Sequence, residues 1–255
     1  MKIFVCLKQV PDTETKIKLG GDSRSIDTGA IKWVMNPYDE YAVEEAVKLR
    51  DANAGAQLWV VTVGPKKRTV ESLRTALAMG ADEAIAVDAP ENLDPFQTAK
   101  VLAATLQQEG GASIVFTGKL SIDDNASSVS QMLAEFLGIP HTTVVSKFSY
   151  SPEGALVERD VEGGAKEVVL MKTPAVVAAN KGLNMPRYAS LPGIMKAKKK
   201  VIKEIDGASL VPPAKTKTLS LELPPEKPAV KMMSGDVGAQ ISALVSALRN
   251  EAKVL

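Results

Sequence analysis

The segment Thr117–Gly138, TGKLSIDDNASSVSQMLAEFLG, constrains this chain more than any other. It follows Ile114-Val115-Phe116, a short apolar run of the kind buried inside a sheet. From Val129 the apolar residues recur at Met132, Leu133, Phe136 and Leu137, the stripe of an amphipathic helix. Gly138 supplies a left-handed stop, and Pro140 prevents continuation. Between strand and helix lie Gly118 and a run of small polar residues. Asp123 and Asp124 are the expected N-caps, and Asn125-Ala126-Ser127-Ser128 the expected first turn. A strand, a glycine turn and a helix opening on small residues form a cradle for phosphate, because free N–H groups and the positive helix end face the loop. The same residue types also make a plain βα turn, and this stretch does not separate the two. It is not a Walker loop, which would need Gly at position 113 and Ser or Thr at 120; these are Ser113 and Leu120. The chain also lacks G-x-G-x-x-G.

The segments before it alternate in period. Ile3–Leu7 is a continuous apolar run, as for a strand buried on both faces. Val10-Pro11-Asp12-Thr13 breaks it, and residues 13–32 read as a long loop, with room for a small hairpin. Asn36 is an N-cap with Pro37 at N1, Tyr38 next and Asp39 in the first turn, opening a helix to about Asp51. Leu58–Val63 is a second strand ended by Gly64-Pro65. Thr69 is the expected cap of the next helix, which Gly80 stops. Ala84–Val87 is a third strand. Asp94-Pro95-Phe96-Gln97 is a capping box opening a helix to about Gln108. Strands alternating with helices of about a dozen residues predict βαβ units and a Rossmann-like, mostly parallel sheet with right-handed crossovers. Ligands of such sheets lie beyond the carboxyl ends of the strands, where the loops after the first, second and fourth strands meet the Asn36 helix start.

After Pro140 the period changes. Thr142–Ser149, Leu156–Asp160, Glu167–Met171 and Ala175–Ala178 read as strands of an antiparallel extension, with turns at Pro152-Glu153-Gly154 and Gly163-Gly164. Residues 181–195 carry loop formers but also Leu183, Met185, Tyr188, Leu191, Ile194 and Met195, so they either form a contact surface or fold back on their own domain. The basic run Lys196-Ala197-Lys198-Lys199-Lys200 follows, suited to a solvated face or an acidic protein partner. Residues 207–233 hold Pro212, Pro213, Pro224, Pro225 and Pro228 and read as an extended arm, with Leu219, Leu221 and Leu223 as apolar teeth. Residues 234–255 end in a helix with Val237, Ile241, Leu244, Val245 and Leu248 on one face, which needs an apolar seat. The organisation is thus an α/β domain over 1–206, an arm over 207–233 and a C-terminal helix.

Composition removes several function classes. Net charge is +1 and aromatics are 4%, against a nucleic-acid surface. One cysteine excludes an internal disulfide or a CxxC site, and Cys6 reads as a small buried hydrophobe. His141 alone cannot build a histidine metal site. No run approaches the ~20 apolar residues of a membrane span, and no leader is visible, so a bacterial cytoplasm, or a mitochondrial matrix for a eukaryotic chain, is the expected location. Asp123-Asp124 could pose as an acid/base pair, but adjacent acids in such a loop usually serve as caps. No nucleophile–base pair emerges.

MNPYDEYAVEEAVKLRD, VESLRTALAMGADEA, TGKLSIDDNASSVSQMLAEFLG and LNMPRYASLPGIMKAKKK resemble the beta subunit of electron transfer flavoprotein, in order over residues 1 to about 205. The resemblance implies a heterodimer with an alpha subunit that holds most of one FAD. It implies electron transfer from acyl-CoA and related dehydrogenases of fatty acid oxidation to a membrane quinone oxidoreductase. It implies a buried structural AMP, held by Cys6, Asn36, Pro37, Tyr38, Asp39, Val63 and the loop Gly118, Lys119, Leu120, Ser121, Ile122, Asp123, Asp124, Asn125, Ala126, Ser127, Ser128 and Val129. Tyr38 and Thr13 would lie near the flavin; the family often has an aromatic at the latter place. Leu191 would anchor a partner-recognition loop with Tyr188, Pro192, Ile194 and Met195, flanked by Lys196, Lys199 and Lys200. Electron-bifurcating relatives bind a second FAD instead of AMP. Their loop typically reads Asp-Gly-Asp-Thr and Gln-Val-Gly-Pro, where this chain has Asp123-Asp124-Asn125-Ala126 and Ser128-Val129-Ser130-Gln131. An ATP pyrophosphatase would need S-G-G-x-D-S where Lys8-Gln9-Val10-Pro11 stands. A nucleotide sensor without redox role is the remaining alternative.

Overall fold

The structure is a computed structural model and describes residues 1–227 and 229–255. Pro228, one of the five prolines of the expected arm, lies outside the described residues. The chain builds an α/β fold on a nine-stranded sheet. Strand β1 (Lys2–Cys6) is central. Its side chains alternate: Ile3 and Val5 enter one apolar cluster, Phe4 and Cys6 the other. Both faces are buried, which is why the run shows no polar alternation.

Two short antiparallel strands follow, β2 (Gln9–Pro11) and β3 (Trp33–Met35). The expected break at Val10-Pro11 is therefore a strand. Pro11 is tolerated because the ladder bonds fall on its neighbours, Asp12 N–H donating to the Lys32 carbonyl at 2.8 Å. The loop between them contains one bridge, Leu19 to Ile26, the small hairpin that the glycines allow. Helix α1 (Pro37–Ala52) starts with Pro37 at N1 and Asn36 at the N-cap position, but the Asn36 side chain makes no cap bond because its amide is engaged with Asp39, Leu120 and Ile122. Strand β4 (Gln57–Gly64) precedes helix α2 (Lys66–Met79), whose N-cap is Pro65 rather than the expected Thr69. Thr69 lies in the first turn and bonds back to the Pro65 carbonyl, because the chain turns helical immediately after Gly64-Pro65. Strand β5 (Glu83–Asp88) leads to helix α3 (Pro95–Gln108), where the expected capping box is present: the Asp94 carboxylate accepts from Gln97 N–H at 2.8 Å.

Strand β6 (Ile114–Gly118) and helix α4 (Val129–Leu137) complete the unit. Gly138 ends α4 in the left-handed conformation, φ 66°. The helix starts later than expected. Ser128 is its N-cap position, and residues 125–128 stay outside it, with Asn125 and Ser127 at positive φ. Asp123 and Asp124 do not cap it, because both carboxylates turn to Lys8.

Strands β7 (His141–Ser151), β8 (Gly154–Asp160) and β9 (Lys166–Met171) form the antiparallel extension. Strand β10 (Ala175–Ala179) does not belong to it. It inserts parallel between β6 and β7 and is fully buried. The segment AVVAA carries small residues because α1 and α4 press on its two faces. Residues expected as a loop form helix α5 (Leu191–Lys199), capped by Ser190 Oγ on Gly193 N–H at 3.1 Å. Strand β11 (Lys203–Asp206), unexpected from the sequence, adds parallel to β5. The last helix, α6 (Val237–Ser246), is capped by Asp236 and widens over residues 247–251. Among the described residues, no helix is long and apolar enough to cross a membrane.

The sheet order is β11-β5-β4-β1-β6-β10-β7-β8-β9. From β1 the chain steps to β4 and β5 on one side, then returns through α3 to β6 on the other. The topological switch therefore falls between β1 and β6, where crossovers leave in opposite directions and open a crevice at the carboxyl edge.

Candidate functional site

At that crevice lies a cleft of ≈1000 Å³. Three elements converge on Asp39. Its Oδ2 accepts from Lys8 N–H at 2.7 Å, at the end of β1. Its Oδ1 accepts from Gly118 N–H at 2.9 Å, at the end of β6, and from Asn36 Nδ2 at 3.0 Å. One buried carboxylate thus ties the two switch-point strands to the start of α1. Burial pushes the Asp39 carboxyl up to about 7, against the pull of Lys8, Asn36 and Gly118. Asn36 spans the other way, donating to the Leu120 carbonyl at 2.9 Å and accepting from Ile122 N–H at 3.3 Å. Gly118 is required here: a Cβ would lie 2.7 Å from Tyr38 Cβ and collide with the Asp39 carboxylate.

The loop after β6 is held open by charge. Lys8 Nζ reaches Asp123 at 2.9 Å, Asp124 at 3.1 Å and Ser121 Oγ at 3.2 Å. Burial raises the Asp124 carboxyl, but the Ala126 N–H, Lys8 and Ser121 together hold it below the ordinary carboxylate range. With these acids occupied, no side chain caps α4. Among the described residues, the N–H groups of Ser127, Ser128, Val129 and Ser130 meet no protein acceptor. Asn125 and Ser127 both hold positive φ, and the open positive end of α4 behind them suits an anion. Thr117 also lines the cleft, and its buried hydroxyl has no partner among the described residues. A hydroxyl left unpaired by the protein costs about 1–3 kcal/mol, a cost that a polar ligand atom in the cleft would relieve.

The structure brings most of the expected site residues together. Cys6, Asn36, Asp39, Val63, Gly118, Lys119, Leu120, Ser121, Asp123, Asp124, Ala126, Ser127, Ser128 and Val129 line the cleft. Pro37, Tyr38, Ile122 and Asn125 do not line it. Tyr38 lies half-buried with Lys119 Nζ 5.1 Å from its ring centre. Thr13 sits in an exposed turn and does not line the cleft. Cys6 is buried, and desolvation raises its thiol, so it is a wall rather than a nucleophile.

Other cleft residues escaped sequence reasoning. Arg68 stacks on Trp33 at 3.6 Å and pairs with Glu91 at 2.8 Å. The arm forms a further wall: Lys215 and Thr216 donate their N–H groups to Asp94 Oδ2 at 2.6 and 2.9 Å, and Leu221 N–H donates to Ser23. Asp94 therefore caps α3 with one oxygen and seats the arm with the other. Only the capping half of that role has a sequence signature.

A second surface lies on the projecting 181–200 segment. Tyr188 is 98% and Leu191 80% exposed, with Met185 and Met195 also open. The choice left open for these residues is thereby resolved toward exposure, while Leu183 packs on the core. Ala197 is buried, and Gly193 fits against the α2 backbone at Ala78. Pro192, Ile194, Lys196 and Lys199 are exposed. Lys200 is different: its Nζ donates to the Ala81 and Asp82 carbonyls at 2.8 and 2.6 Å. The exposed apolar face of α6, including Val237, Ile241 and Leu244, is a third open surface.

Fold and cleft together define a doubly wound α/β protein with an anion-ready site at the switch point of its sheet. The electron transfer flavoprotein domain family matches residues 24–210. The chain is 41% identical over 261 residues to electron transfer flavoprotein subunit beta, mitochondrial, of Oryza sativa subsp. indica, covering 100% of both chains. It is 40% identical to the Bacillus subtilis subunit beta, again over 100% of both. Against the Homo sapiens subunit beta it is 40% identical, over 90% of this chain and 91% of the relative. The chain belongs to the electron transfer flavoprotein beta-subunit family. It is an electron-transfer protein rather than an enzyme, and its family implies flavin-linked function and an alpha-subunit partner.

Proposed function

We propose that this chain is the beta half of a heterodimer that takes electrons from acyl-CoA and related flavin dehydrogenases and delivers them to a quinone oxidoreductase. FAD, shared with and mainly held by the alpha subunit, supplies the one- and two-electron chemistry when bound. Tyr38 faces the shared flavin in this reading, with Thr13 as a weaker neighbour. The residues of this chain position and dock; none transfers a proton or forms a covalent bond.

The cleft takes AMP as a structural ligand. The observation that carries this is the set of unmet donors at the start of α4, beside the unpaired Thr117 hydroxyl. Ser127 to Ser130 offer N–H groups to a phosphate, Val63 and Cys6 wall the base and sugar, and Asp39 fixes the loops around them. Lys8 neutralises Asp123 and Asp124, which would otherwise repel an anion. Leu191 and Tyr188 form the docking point for a dehydrogenase, as apolar anchors on an exposed projection. Lys196 and Lys199 supply positive charge beside it. The arm and α6 pack on the alpha subunit, which covers the apolar face of α6.

A nucleotide inventory tests this. The chain is purified with its alpha partner and denatured, and released nucleotides are counted by chromatography. One FAD and one AMP per heterodimer is the expected result. Two FAD and no AMP would assign the cleft to a second flavin, as in bifurcating relatives. Neither nucleotide, with no alpha partner captured, overturns the reading.

A further inference from the structure

The projection that carries Tyr188 and Leu191 has no regular structure before Ser190, yet it does not hang free. We infer that Glu44 and Glu45 of α1 are positioning residues that clamp this segment into a preformed docking shape, through Arg187 and Asn184. The inference rests on the reading of Leu191 and Tyr188 as a docking point.

Glu44 is only 6% exposed, although it carries a carboxylate. Its Oε2 accepts from Arg187 Nε at 2.7 Å and from the Arg187 backbone N–H at 3.1 Å. Its Oε1 accepts from Arg187 Nη2 at 2.9 Å. This is a two-pronged guanidinium–carboxylate pair with a third donor from the main chain, which fixes both the side chain and the backbone of Arg187. One residue along, Glu45 is equally buried, and its Oε2 accepts from Asn184 Nδ2 at 2.9 Å. The same Nδ2 donates to the Tyr41 carbonyl at 3.0 Å. Two successive acids on α1 thus hold two residues of the segment, three apart.

Adjacent buried acids on a helix carry a cost that packing alone does not justify. Neither borders the cleft, and neither caps α1. Glu44 pairs with Arg187, and Glu45 is shared between Asn184 and Lys48 Nζ, the latter at 3.2 Å, so each acid reaches a residue just before Tyr188 and Leu191. Downstream, Arg74 Nη1 holds the carbonyl ends of α5 at Ala197 and Lys200, the latter at 2.5 Å. The projection is therefore fixed at both ends, on α1 and on α2, while its tip stays open. A rigid tip loses less freedom on association than a mobile one, so the clamp favours docking without touching the partner.

The test uses the heterodimer with its cofactors. Glu44→Gln keeps the size and removes the charge; Arg187→Gln removes the other half from the more exposed side. Hydrogen exchange of residues 183–190 and steady-state reduction by a purified acyl-CoA dehydrogenase are measured on each. The expected result is exchange in 183–190 faster by about tenfold. The KM for the heterodimer as electron acceptor rises by about tenfold, with kcat within about twofold and an unchanged flavin absorption spectrum. Arg187→Lys restores part of the KM, because one prong survives. Unchanged exchange in both Gln variants overturns the clamp. Faster exchange with unchanged KM overturns its role in docking. A Leu191→Ala heterodimer with wild-type KM overturns the docking point itself.

Discussion

Asp39→Asn isolates the junction of the two switch-point strands. Asparagine has the same size but only one acceptor oxygen. That oxygen can serve Gly118 N–H and Asn36 Nδ2, which both reach Oδ1 in the wild type. The amide then turns its NH2 toward Lys8 N–H, which loses its 2.7 Å bond and faces another donor. At pH 8, where the folded carboxyl is ionised, one lost charge-assisted hydrogen bond and one poorly solvated donor cost roughly 2–3 kcal/mol. For a chain of this size that is a fall in Tm of roughly 5–10 °C. The effect carries a pH signature. In the unfolded chain the Asp39 proton leaves near 3.8; in the folded chain it leaves at about 7. Between those values the folded state holds more protons, so the stability contributed by this group is present at low pH and declines as pH rises. Asparagine has no such decline. The stability gap between wild type and Asp39→Asn therefore narrows from pH 5 to pH 8. Urea unfolding of the purified heterodimer, followed by circular dichroism at several pH values, measures it. A gap below about 0.5 kcal/mol at pH 8, or one that widens with pH, would refute the reasoning.

Four further outcomes follow from the geometry. Gly118→Ala drives a methyl into Tyr38 and Asp39, so the heterodimer should lose at least about 2 kcal/mol of stability and release its nucleotide, as seen by chromatography of the denatured complex. Leu191→Ala should leave the melting temperature within a degree, because the side chain is exposed, while slowing electron transfer from a dehydrogenase in a stopped-flow assay. Neutralising Lys196 and Lys199 should change that rate mainly at low salt, whereas Lys200→Ala should lower the melting temperature because its ammonium holds two carbonyls at the end of α2. Deleting residues 234–255 should leave the isolated domain's unfolding midpoint unchanged and abolish co-purification with the alpha subunit, since the apolar face of α6 is open on this chain.

Local signals were legible wherever the decisive interaction lay within a few residues. The βαβ alternation, the Asp94 capping box, the Asn36-Pro37 helix start and the Gly138 stop all follow from spacing along the chain, and the structure contains each of them. The converging loops of the cleft followed from the same alternation, since a parallel sheet sends its βα loops to one edge. Three readings failed because a distant partner decided them. Asp123 and Asp124 had cap chemistry, but Lys8, over a hundred residues away, took both carboxylates and left the α4 donors open. Leu191–Lys199 reads as a glycine- and proline-bearing loop, yet Ala197 and Gly193 find a seat on α2 that makes it a helix. Ala175–Ala179 sits next to antiparallel strands in sequence, but its small side chains admit helices on both faces and place it parallel at the sheet centre. Periodicity determined which elements exist and which faces they bury; the choice of neighbour, and hence the shape of the cleft and the clamp behind Tyr188, required the side chains that only folding brings within hydrogen-bonding reach.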